Sequence, residues 1–184
     1  MDETLEQYYD INVETQNFSI GVRSRDLLAE DLQSIIDMKP DVLMIEFGMN
    51  DHCGADGNTE ERVTAYKNDI ENAVNVLKEN NIDVILIGFF QQNMTWNVEN
   101  MEATRLCNEA LKDIADRNNI YFADVHSVFE KVGNVKPLSR DVIADFIHHP
   151  NELGHKLYLT SIIDVFNING EMRPVDLPDY VYVE

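Results

Sequence analysis

Residues 41–47 (Asp41-Val42-Leu43-Met44-Ile45-Glu46-Phe47) and 83–90 (Asp83-Val84-Ile85-Leu86-Ile87-Gly88-Phe89-Phe90) are apolar runs of strand length with little polar alternation. A strand that is apolar on both sides must be covered on both faces, the situation of a parallel sheet between two helical layers. Each run empties into a polar loop and then into apolar residues at steps of three and four, the period of an amphipathic helix. After the first run these are Val63, Tyr66, Ile70, Ala73, Val74 and Leu77, opened by Asn58 and Glu61 at capping-box spacing. After the second, Leu106, Ala110, Leu111 and Ile114 predict a helix over about 101–117.

The rest of the chain follows the same alternation. Residues 4–9 read as the last turns of a helix, 11–20 as a strand ending at Gly21, and 25–38 as a helix stopped by Pro40. Residues 120–125 form the last strand, and Leu153, Leu157, Tyr158, Ile162 and Phe166 mark a closing helix over about 152–166. A long segment, 126–147, precedes that helix, and 168–184 reads as an extended tail. This pattern predicts one α/β domain over 1–184, built on a parallel sheet with right-handed crossovers. In such a sheet ligands bind at the carboxyl ends of the strands.

The formal charge is −20. A surface so acidic repels phosphates and anionic lipid, so nucleic acid and membrane are not expected partners. No apolar run is long enough to span a bilayer. The opening Met1-Asp2-Glu3-Thr4 is acidic where a secretory leader is basic and then apolar, which points to the cytoplasm if Met1 is the true start. Cys53 and Cys107 lie in unrelated segments without metal-ligand spacing.

Two short motifs carry chemistry. Gly48-Met49-Asn50-Asp51 follows a buried strand, and an asparagine there offers a neutral amide donor for a developing oxyanion. The plainer reading is a polar turn. Asp145-Phe146-Ile147-His148 puts a carboxylate where it can orient an imidazole, an arrangement suited to general-base work near neutral pH. Its plainer readings are a helix-capping cluster with Asn151 as the cap, or a metal site using Asp145, His148, His149 and His155. Gly154, early in the closing helix, suggests close backbone packing.

Taken together, the two motifs resemble the SGNH (GDSL-type) hydrolase superfamily. Gly48-Met49-Asn50-Asp51 matches its Gly-x-Asn-Asp block, Asp145 to His148 its Asp-x-x-His block, and the Pro150-Asn151-Glu152-Leu153-Gly154-His155 continuation is similar to its bacterial members. Asn17-Phe18-Ser19-Ile20-Gly21-Val22 looks like the second block, with Gly21 as its glycine. The resemblance spans about residues 10–167. It implies a flavodoxin-like three-layer fold and hydrolysis of acyl esters, carbohydrate-linked or small, with no metal or other cofactor. It also implies His148 as base, Asp145 as its partner, and Gly21 (backbone N–H) and Asn50 (side chain) as oxyanion donors. Trp96, Gln91, Gln92 and His149 are the expected substrate contacts.

The first block of that family, the strand ending in Gly-Asp-Ser that carries the nucleophile, does not occur in the sequence. The expectation is therefore a sheet without its first, central strand, for want of roughly 20–40 residues ahead of residue 1. Ser19 and Ser24 lie near Gly21 but lack the strand-to-turn setting that exposes a nucleophile. The alternative is a non-catalytic relative that binds an acyl or sugar ligand through Trp96, Gln91 and Gln92. A sheet left open at one edge also predicts a homodimer formed by edge pairing.

Overall fold

The computed structural model describes residues 1–19, 21–27, 31–52, 57–93, 98–135, 142–145 and 149–167. Three short strands, β1 (Val42–Ile45), β2 (Asp83–Ile87) and β3 (Tyr121–Ala123), form a parallel sheet in that order. Between and around them run α1 (Asp2–Tyr9), α2 (Ser24–Asp26), α3 (Leu32–Met38), α4 (Met49–His52), α5 (Thr59–Glu79), α6 (Val98–Asn118), α7 (Val125–Val135) and α8 (Glu152–Phe166). The arrangement is the expected three-layer α/β fold.

Alternation along the strands sorts the core into two halves. Leu43 and Ile45 of β1 and Val84 and Leu86 of β2 pack with α5 and α6, against Tyr66, Ile70, Leu77, Leu111 and Ile114. Met44, Ile85 and Ile87 face the other way, onto Val125 and Phe129 of α7 and Leu157 of α8. Leu5 of α1 closes against Ile163 of α8. α5 begins as its capping box predicts: Glu61 N–H donates to Asn58 Oδ1 at 3.0 Å and Asn58 N–H to Glu61 Oε2 at 2.9 Å.

Two expectations change. Residues 11–19 form no strand; their donors turn back to α1 instead, Val13 N–H to Glu6 Oε1 at 3.0 Å and Thr15 Oγ1 to Asp2 Oδ2 at 2.6 Å. The helix expected over 25–38 is seen as α2 and α3, with π-helical Leu27 and Asp31 between them and residues 28–30 outside the described residues. Within the long segment ahead of the closing helix, to which no element was assigned, lies most of α7, capped by Asp124, whose carboxylate receives Ser127 N–H at 3.0 Å and Ser127 Oγ at 2.7 Å. Among the described residues β1 pairs with β2 alone, so its other edge has no strand beside it. Among those residues, too, no helix is long and apolar enough to cross a membrane.

Candidate active site

The exit from β1 is shaped by one glycine. Gly48 has φ of +140°, and a Cβ built there would lie 2.1 Å from the Phe89 ring. Tyr66 hydroxyl donates to Phe47 carbonyl at 2.8 Å, fixing the strand end just before it. The chain then turns into α4, which carries Asn50 outward and Asp51 inward. Asn50 Nδ2 points at Val22 carbonyl, 3.4 Å away, which brings the Asn50 loop beside the bend at Gly21. Gly21 itself is exposed, with open space where a side chain would stand. The two expected oxyanion donors thus come from neighbouring segments.

Asp145 and His149 sit on a pinched loop ahead of α8. Ala144 N–H donates to His149 carbonyl at 2.7 Å and Asn151 N–H to Val142 carbonyl at 2.9 Å, closing an antiparallel bridge between Ile143 and Pro150. Gly154 packs against the base of this loop, where a Cβ would meet Val142 carbonyl at 2.5 Å and Pro150 at 2.7 Å. Asn151 caps α8, its Oδ1 receiving Gly154 N–H at 3.0 Å. Asn151→Ala is expected to cost about 1 kcal/mol in chemical denaturation, whereas Asn151→Ser, which keeps the acceptor, should cost far less.

α8 runs from the carboxyl rim of the sheet toward the start of β3. Tyr158, in its second turn, donates to Glu46 Oε1 at 3.0 Å just past β1 and packs on Phe90 just past β2. Ser161, Asp164 and Val165, further along, flank Tyr121 and Phe122 at the beginning of β3. The loop before α8 is therefore at the same rim as Gly48 and Asn50. Desolvation by the surrounding protein raises the Glu46 carboxyl above its ordinary range, against the lowering effect of the Tyr158 hydrogen bond; desolvation likewise raises the Tyr158 phenol.

Asp145 engages His149 twice: Oδ1 receives His149 N–H at 3.1 Å, and Oδ2 meets His149 Nδ1. His148 and Trp96, both expected in the site, lie outside the described residues. Gln92 is buried, and its Oε1 accepts from Thr104 Oγ1 at 2.6 Å; Gln91 is the half-buried member of the pair. Sequence reasoning did not single out Glu46 and Tyr158, whose pairing across 112 positions has no local signal.

Fold and site define an α/β chain whose candidate residues lie on loops at the carboxyl rim of a parallel sheet. A family model for the GDSL-like lipase/acylhydrolase family matches residues 2–157, and the chain belongs to that family. Axe2, an acetylxylan esterase from Geobacillus stearothermophilus, is 22% identical, with 94% of this chain and 81% of that one covered and a TM-score of 0.76. A catalytic mutant of Axe2 with its serine changed to alanine aligns at 23% identity over 89% and 77% of the two chains, with a TM-score of 0.75. Among curated proteins none matches this chain.

Proposed function

We propose that these residues supply the base, its acid partner and the oxyanion donors of a serine esterase acting on small or carbohydrate-linked acyl esters such as acetyl esters. Two contacts support this: Asn50 to Val22, which puts the Asn50 loop beside the Gly21 segment, and Tyr158 to Glu46, which anchors α8, the helix following the Asp145–His149 loop, beside the end of β1. In the reaction a serine hydroxyl attacks the acyl carbonyl while His148, oriented by Asp145, takes its proton. The oxyanion then accepts hydrogen bonds from Gly21 N–H and Asn50 Nδ2; an amide nitrogen has two hydrogens, and only one is turned toward Val22. Collapse expels the alcohol, protonated by the imidazole, and water repeats the sequence on the acyl-enzyme.

In this reading neither Ser19 nor Ser24 is the attacking serine. Ser24 is buried and bound to carboxylates, and Ser19 is an exposed loop residue whose N–H bonds to Asn17 Oδ1 at 2.8 Å. The comparison supports this reading. In Axe2 the catalytic aspartate and histidine stand three apart, as Asp145 and His148 do, and the catalytic serine lies farther ahead of them than this chain extends ahead of Asp145. Among the described residues β1 pairs with β2 alone, and its other edge is where the strand bearing such a serine would pair.

The 184-residue chain is accordingly expected to leave p-nitrophenyl acetate at its buffer rate. Joining the amino-terminal segment of Axe2, with its serine, ahead of residue 1 should create turnover and covalent labelling by a fluorophosphonate. The lack of a Gly-Asp-Ser block also favours a second reading, a non-catalytic binder of acylated sugar. A folded, unreactive fusion, with tight binding of acetylated xylo-oligosaccharide by the 184-residue chain, would replace the esterase reading with that one. Turnover by the unfused chain that vanished in His148→Ala would show that one of its own serines attacks.

A further inference from the structure

Ser24 opens α2 and is buried, with its hydroxyl held between two carboxylates. Oγ lies 2.5 Å from Asp51 Oδ1 and 3.3 Å from Asp69 Oδ2, and Ser24 N–H donates to Asp51 Oδ1 at 2.9 Å. Asp51 is itself buried, and its Oδ2 has no hydrogen-bond partner among the described residues. A serine hydroxyl carries one hydrogen, so it can donate to only one of the two acids. The second approach is favourable when the other acid is protonated and donates to Ser24 Oγ. One additional proton thus lets both carboxylates hydrogen-bond to the one hydroxyl.

We propose that Ser24, Asp51 and Asp69 are positioning residues that share this proton and thereby clamp the Gly21 segment against the Asn50 loop, the clamp loosening when the proton leaves. Ser24 is three residues beyond Gly21, and Asp51 follows Asn50 directly, so the clamp spans the seam between the two oxyanion donors. Its catalytic consequence rests on the esterase reading; its existence does not.

Burial, rather than the surrounding charge, has the sign this requires. Burial raises both Asp51 and Asp69, while the Ser24 hydrogen bonds pull each the other way. Among the charges, Asp69 raises Asp51 and Arg23 lowers it, while Asp26 raises Asp69 and Arg25 lowers it, the two arginines and Asp26 all lying in the α2 region. On the inner side Asp51 meets Tyr66 of α5, whose own neighbours are Cys107 of α6 and Glu46 beyond β1. A carboxyl raised by folding stabilises the native state below its unfolded pKa, and that contribution is lost as pH rises through the folded value. The clamp should therefore be tight in mild acid and slack above it.

The test is two-dimensional NMR of the 184-residue protein from about pH 4 to about pH 8, following the Gly21 N–H and the Asn50 side-chain amide. Both resonances are expected to shift together, with one midpoint above the ordinary aspartate range. Asp69→Asn, at a half-buried surface position, offers a permanent donor to Ser24 Oγ and should flatten both titrations. Ser24→Ala should abolish their common midpoint. Resonances that stay fixed across the range, or that titrate unchanged in Asp69→Asn, overturn the proposal. Catalysis does not enter this readout: a coupled titration alongside an unreactive serine-bearing fusion sinks the esterase reading and leaves the clamp standing.

Discussion

Gly48→Ala is expected to remove about 3–5 kcal/mol of stability, enough to leave much of the population unfolded in urea concentrations the parent tolerates. Two costs combine at this residue. A φ of +140° is backbone that an L side chain rarely adopts, and the new Cβ would stand 2.1 Å from Phe89, itself buried just past β2. Phe89 has little room to retreat: its N–H donates to Asn108 Oδ1 at 3.0 Å and its carbonyl accepts from Asn108 Nδ2 at 2.9 Å, fixing its backbone against α6. Gly21→Ala is the matching control, because a Cβ there meets nothing within 4 Å, and its effect should stay within about 0.5 kcal/mol. Equal midpoints for the two variants in urea denaturation would show that the β1 exit relaxes freely.

The elements legible in the sequence were those specified by their own residues. β1 and β2 announced themselves because burial on both faces leaves a continuous apolar run, and α5 because Asn58 and Glu61 bond reciprocally at its first turn. Residues 11–19 misled because alternation says only that a segment can lie in a sheet. Whether it does depends on a partner, and here Glu6 and Asp2 of α1 take its donors. α7 was missed although its signal was present: Asp124 is a cap, and Val125, Phe129 and Val132 fall at steps of four and three on one buried face. Gly133 and the polar residues His126 and Ser127 obscured that face. In the site, Gly48 and Asn50 were readable from a local motif. The clamp around Asp51 was not, because Ser24 and Asp69 reach it across 27 and 18 positions and no local pattern links them.

In the serine-bearing fusion, His148→Ala is expected to lower kcat by at least about 10³-fold, and His149→Ala by no more than about tenfold. The contrast is informative because both imidazoles have a claim on Asp145. His148 stands at the Asp-x-x-His spacing, whereas His149 is the histidine whose Nδ1 and backbone N–H meet the Asp145 carboxylate in the described residues. One carboxylate can serve both, since its two oxygens offer about four acceptor positions. On the proposed assignment the His149 contacts would hold the acid in place, leaving His148 a partner already oriented. His149→Ala then loosens Asp145 and costs a modest factor, while His148→Ala removes the group that takes the proton and leaves only what the oxyanion donors provide. The pH dependence of kcat/KM separates the roles further: the limb belonging to the base should vanish with His148 and merely shift with His149. A severe loss at His149 with a near-silent His148→Ala would move the base one residue along the chain, making the Asp145–His149 pair the reacting one.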